Sequence, residues 1–179
     1  MIRHLGLVIF VGAAVLYGQQ STPDSHSMHE QHMKEGSMAD HHSGVNSRGD
    51  QAMGFSHEKT THHFLLRRDG GVIAIEANDP MDTESRDEIR QHLTHIAGMF
   101  SAGDFEAPMF IHDQVPPGVP VMERLKTQIT YKFELLEHGG QVRIVTKKPE
   151  AVKAVHEFLR FQITDHKTGD PLVLDRTAR

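Results

Sequence analysis

From Phe55 onward, apolar and polar positions fall into two matching sets. His63-Phe64-Leu65-Leu66 and Val72-Ile73-Ala74-Ile75 flank a turn containing Asp69-Gly70-Gly71. Two short apolar runs around such a turn predict a β-hairpin. Asn78-Asp79-Pro80 breaks the second strand. Asp82 or Thr83 can then cap a helix over about Glu84 to Ala102, where Ile89, Leu93, Ile96 and Phe100 form one apolar stripe. Gly103-Asp104 ends it.

A connection rich in proline follows, with Pro108 and Pro116-Pro117-Gly118-Val119-Pro120. It predicts irregular backbone with a short turn of helix near Met122 to Lys126. The plan then repeats. Ile129 to Leu135 alternates apolar and polar positions, His138-Gly139-Gly140 makes a turn, and Val142-Arg143-Ile144-Val145 returns. Pro149 suits the first turn of a helix, where a missing N–H costs least. Val152, Val155, Leu159 and Ile163 line one face of that helix, and Thr168-Gly169-Asp170-Pro171 ends it. Leu172-Val173-Leu174 could add a short tail strand.

The expected fold class is therefore α+β: two ββα units forming a four-stranded, mainly antiparallel sheet with two helices on one face. The expected domain spans residues 55–174, with a tail at 175–179.

The chain ahead of this domain differs in kind. After Met1 to His4, residues 5–18 are uncharged and mostly apolar. At about 1.5 Å per residue they reach roughly 21 Å, short of a ~30 Å hydrocarbon core. A positive start and a short apolar run predict a secretory signal at residues 1–18 and a periplasmic or secreted location; the other reading is an uncleaved membrane anchor. Once the signal is removed, no membrane attachment is expected.

Residues 19–54 contain almost no aliphatic or aromatic side chains, and such a composition predicts a disordered arm. The arm is instead rich in donor groups: His26, Met28, His29, His32, Met33, His41 and His42 are its candidate metal ligands. The whole chain has 15 His, 9 Met and no Cys, with a net charge of -5. Absence of Cys removes disulfides, thiolate sites and iron–sulfur clusters. The charge gives no basic face for nucleic acid. Thioether beside imidazole suits copper, with zinc or nickel as further ions the imidazoles would accept.

Within the domain, Glu88, His92, His95 and Met99 share one face of the first long helix. His92, His95 and Met99 are the firmest candidate site, against a plain polar flank of an amphipathic helix. His62, His63 and His112 are further candidate ligands. Strand alternation sends His62 and His63 to opposite faces, so at most one can join a given cluster. His156 reads as a satisfied half-buried histidine, His166 as a cap favoured by the helix dipole, and His138 as a solvated turn residue.

No phosphate-cradling loop, nucleophile elbow or His-Glu-x-x-His is present. An enzyme is thus disfavoured, and no catalytic residue is assigned. The leading expectation is an exported metal-binding protein serving copper handling or tolerance, its partner a metal ion. The alternatives are a metal-assisted enzyme or small-ligand binder with His62, His92, His95 and His112 around a pocket, and a protein-interaction module in which the histidines are incidental.

The stretch from Gly54-Phe55-Ser56-His57-Glu58-Lys59-Thr60-Thr61-His62-His63-Phe64 to Phe161-Gln162-Ile163-Thr164-Asp165-His166-Lys167-Thr168-Gly169-Asp170-Pro171 covers about two-thirds of the chain. With His92-Leu93-Thr94-His95, Pro116-Pro117-Gly118 and Phe158-Leu159-Arg160-Phe161-Gln162, it resembles a family of exported bacterial proteins whose members have no established function. That family is sometimes loosely labelled aspartate carbamoyltransferase. The present chain lacks the Ser-Thr-Arg-Thr phosphate motif and the length for two domains, so the resemblance implies boundaries and no mechanism. Separately, the arm is similar in composition to Met/His-rich segments of periplasmic copper-handling proteins.

Overall fold

The computed structural model describes residues 40–174. The chain divides into two units, Met1–Gly36 and Ser37–Arg179, and every described residue belongs to the second. The expected signal at 1–18 and the 175–179 tail lie outside the described residues, as do the candidate ligands His26, Met28, His29, His32 and Met33.

Residues 40–53 are helical (α1). A 3-10 turn at His57–Lys59 leads to strands β1 (Thr60–Arg67) and β2 (Gly70–Ala77) and helix α2 (Thr83–Ala102). Two short helices follow, α3 (Glu106–His112) and α4 (Val119–Arg124). Strands β3 (Ile129–Leu136) and β4 (Gly139–Thr146) and helix α5 (Pro149–Asp165) complete the fold. The sheet has the order β1-β2-β4-β3 and is antiparallel throughout.

The α+β architecture expected from the pattern is the one found. One sheet face carries Phe64, Leu66, Ile73, Ile75, Ile129, Tyr131, Val142 and Ile144, all buried. These pack into a single core with Ile89, Leu93, Ile96 and Phe100 of α2 and Val155, Phe158, Leu159 and Ile163 of α5. Period-2 and period-3.6 patterns thus meet in one apolar layer, the main source of its stability. Asp82 caps α2, accepting from the Ser85 N–H at 3.0 Å.

The two hairpins are related by an approximate two-fold. Each has two eight-residue strands. The turns are Arg68-Asp69 and Glu137-His138, so the Gly-Gly pairs do not form the turns but begin the second strand of each hairpin. Their lack of side chains serves the seam between β2 and β4. A Cβ on Gly70 would lie 2.2 Å from the Ile144 carbonyl oxygen, and one on Gly139 would lie 2.0 Å from that of Ile75. The pairing Gly70↔Val145 mirrors Glu76↔Gly139, with Ile73↔Val142 at the centre.

Three local expectations are corrected. Residues 40–53 are helical rather than disordered, with Val45 only 1% exposed. Polar ties supplement the scarce apolar contact there. Arg48 Nε donates to the Ile111 carbonyl (2.8 Å), His41 Nε2 to Asp165 Oδ1 (2.9 Å), and the His57 N–H to Asp50 Oδ1 (2.8 Å). In the connection, Pro108 and Pro120 sit in the first turns of α3 and α4, where helix N–H groups have no partner to lose. Leu172-Val173-Leu174 pairs with no strand and is exposed.

Substituting Ala at Gly139 forces the β2–β4 backbones apart. Urea denaturation of Gly139→Ala should show a loss of about 2–4 kcal/mol, as overpacking against rigid backbone predicts. Gly98, in α2 with open space around its Cβ position, provides the contrast: Gly98→Ala should gain about 0.5–1 kcal/mol.

Candidate functional site

The histidines cluster at one end of the core, between α1, the start of β1, α2, α3 and the end of α5. A cavity of about 70 Å³ opens there. Its polar lining is His62 from β1, His92 from α2, His112 from α3, and Gln162 and His166 from the end of α5, with the thioether of Met53 from α1. Phe64, Ile73, Phe100 and Phe158 form much of the apolar remainder. No carboxylate, lysine or arginine lines it. A second depression of about 250 Å³ shares Met53, His62 and His166 with it and runs along α1.

The rings are placed by packing. His62 stacks against Phe55 and Phe64 (centroids 6.4 Å apart in each case) and lies almost parallel to His166 at 6.0 Å. His92 meets Phe55 edge-on at 5.6 Å. His62 Nε2 lies 3.3 Å from Met53 Sδ. Burial lowers the His62 pKa to about 4, helped by His92, His57 and His63 and opposed by Asp50. Burial, then His95, lowers His92 to about 4. Burial, then His112 and His62, lowers His166 to about 3, against Asp165. These three imidazoles are neutral at pH 7, the form in which a ring nitrogen can bind a metal.

His112 is held differently. It is 1% exposed. Its Nδ1 contacts Asp165 Oδ2 at 2.5 Å and its Nε2 contacts Gln162 Oε1 at 2.9 Å. Burial raises the Asp165 pKa, but hydrogen bonds from His112 and His41 outweigh it and leave the carboxyl below its usual range. The order His41–Asp165–His112–Gln162 thus runs from α1 through α5 and α3 to the cavity wall.

Several sequence candidates come together and others do not. His62, His92 and His112 share the cavity. His95 is exposed on α2, and Met99 packs partly buried against the core, so the His92, His95 and Met99 stripe does not close on a common point. His63 faces away from His62, as alternation requires, and donates to Asp170 Oδ1 at 2.9 Å. Asp170 also accepts from the Phe64 N–H and from Thr168 Oγ1, tying the end of the domain to the edge strand. His41 serves Asp165, and His42 lies edge-on to His41 at 6.0 Å. His156 donates to the Arg67 and Gly70 carbonyls at 2.8 and 3.0 Å, a satisfied structural histidine.

Three cavity residues were not singled out by the pattern as site groups: Met53, Gln162 and His166. His166 does cap α5, but burial holds it neutral rather than as the expected imidazolium. Among the described residues, no group of three or more His, Asp or Glu side chains is arranged to hold a metal ion, and no helix is long and apolar enough to cross a membrane. No protein-family profile, curated protein or solved structure matches the chain.

The lowered histidine pKa values set a pH dependence. Unfolded histidines titrate near 6.5, whereas His62, His92 and His166 do so near 4, 4 and 3 when folded. As pH falls below about 6.5 the unfolded chain binds protons first. Stability is therefore full above that pH and is lost progressively toward pH 4. Urea unfolding at pH 5.5 should show about 4 kcal/mol less stability than at pH 7.5, and His166→Phe should flatten part of that slope. An unchanged midpoint would contradict neutral burial.

Proposed function

We propose that the chain is an exported copper-binding protein, in which the folded unit holds one Cu(I) ion at Met53 and His62 and the His/Met-rich arm takes up further ions more loosely. The observation that carries this reading is the 3.3 Å approach of Met53 Sδ to His62 Nε2 in a cavity lined by other imidazoles and by no carboxylate. Typical bonds of ~2.0 Å to imidazole nitrogen and ~2.3 Å to sulfur would subtend roughly 100° across that gap. An ion between them needs only small movements of the two side chains.

The donor chemistry selects the ion. Thioether and neutral imidazole are soft or borderline ligands, and they favour Cu(I) over the hard oxygen-seeking cations. A monovalent ion is also the least costly to place where no carboxylate compensates charge. His62 would bind through Nε2 with its proton on Nδ1. His92 and His166, lining the same cavity, are the candidate sources of a third donor.

Cu(I) titration of the full chain against a chromophoric Cu(I) chelator tests this. One ion should bind distinctly more tightly than the rest. Met53→Leu and His62→Phe, which keep bulk and stacking, should each weaken that ion at least 100-fold while leaving the looser ones. Replacing His26, His29 and His32 by Ala should lower the number of loosely bound ions and spare the tight one. If Met53→Leu and His62→Phe bind copper as the parent does, the domain site is wrong.

A further inference from the structure

The two edges of the sheet are treated differently. At β1 the Phe64 N–H points outward and is taken by Asp170 Oδ2 at 2.9 Å. At β3, among the described residues, no strand pairs with the outer side. Strand β3 runs eight residues in unbroken register with β4, with neither proline nor bulge. Such an edge is a template for another strand.

Printed bonds elsewhere in the sheet fix which groups β3 offers. The Thr146 N–H donates to the Asp69 carbonyl at 2.8 Å, and the Ala77 N–H to that of His138 at 2.9 Å. Even-numbered residues of β4 therefore turn their backbone groups to β2, and Gly139, Gln141, Arg143 and Val145 turn theirs to β3. Their partners there are Leu136, Glu134, Lys132 and Thr130. Because the pattern alternates along an antiparallel strand, Tyr131, Phe133 and Leu135 present their N–H and C=O groups to the open edge.

We propose that β3 is a self-association edge, on which a second copy of this chain lays its own β3 antiparallel about a two-fold axis at Phe133. The Phe133 residues of the two copies then exchange both N–H···O bonds. Tyr131 does the same with Leu135 of the second copy, and two four-stranded sheets become one.

Charge complementarity selects both the occupant and the register. Lys132 and Glu134 sit on the outer face of β3, joined at 3.0 Å within the strand. With the axis at Phe133, Lys132 of each copy lies opposite Glu134 of the other. Four charges then alternate in sign along and across the strands. An axis at Lys132 would oppose lysine to lysine, and one at Glu134 would oppose glutamate to glutamate, which is unfavourable. Larger shifts shorten the ladder. On the opposite face, Leu135 is 68% exposed in a single copy. In this register it lies across from Tyr131 of the second copy, an aliphatic–aromatic cross-strand pair. The inference uses no cavity residue and does not rest on the copper reading.

Light scattering and sedimentation of the full chain test this, with backbone amide exchange as a local readout. The parent should dimerise reversibly. Lys132→Glu and Glu134→Lys each set like charges opposite one another twice, and each should weaken the dimer at least 10-fold. Mixed together, these two variants should form a heterodimer, since every glutamate of one then faces a lysine of the other. The double variant Lys132→Glu/Glu134→Lys restores both pairs and should dimerise as the parent does. Amides of Tyr131, Phe133 and Leu135 should exchange at least 10-fold faster in either single variant than in the parent. Those of Lys132 and Glu134, bonded to β4, should stay protected in both. A parent that remains monomeric up to millimolar concentration would overturn the proposal. So would single variants that dimerise like the parent, or that fail to combine when mixed.

Discussion

The close approach of β2 and β4 is the constraint on which the rest of the molecule depends. Two hairpins must join through their second strands, and at Gly70 and Gly139 the opposing carbonyls of Ile144 and Ile75 occupy the space a side chain would need. Joined in this register, the strands put Ile73 beside Val142 and place Phe64, Leu66, Ile75, Ile129, Tyr131 and Ile144 on the same face. Both long helices then share a single layer. A one-residue slip would send each of these side chains to the other face. The near-symmetry of the sheet follows from satisfying the same steric demand twice.

The cavity lies where that symmetry fails. Both hairpins and both long helices have counterparts, but α1 belongs to the first half alone, and α3 and α4 interrupt the path to the second. These unmatched elements bring Met53 and His112 to the end of the core, where they meet His62, His92, Gln162 and His166. Helix α1 has little apolar surface of its own and is fixed by polar ties to α3, α5 and the His57 turn. Packing around the rings keeps three imidazoles neutral. Among the carboxylates, Asp165 sits behind His112 and Asp50 beside His57. The result is a small space with soft, uncharged donors near Met53 and His62.

Much of the architecture was legible in the residue pattern. Alternation over Ile129 to Leu135, the 3.6-residue spacing of Ile89, Leu93, Ile96 and Phe100, and the repeated Gly-Gly pairs led to the sheet and both long helices. Burial selects those positions by a local rule, so a single sequence displays them. The candidate site was legible in part. His62, His92 and His112 were recognisable by type, and alternation separated His62 from His63. The His92, His95 and Met99 stripe misled because helical neighbours share a face without sharing a destination: His92 turns into the cavity while His95 stays in solvent. The helix at 40–53 was not visible because its docking rests on distant polar partners rather than on an apolar stripe.

By itself, then, the chain's order of residues determined the strands, the long helices, the absence of sulfur ligands other than thioether, and the strong bias toward imidazole. Periodicity and composition are properties of short stretches, and they carry that information directly. Only the tertiary structure decided which imidazoles meet, that Met53 Sδ lies 3.3 Å from His62 Nε2, and that Gln162 meets His112. Those facts join residues far apart in the chain, such as His112 with Asp165 and His62 with His166. Such meetings are set by how rigid elements pack, and no local pattern specifies them.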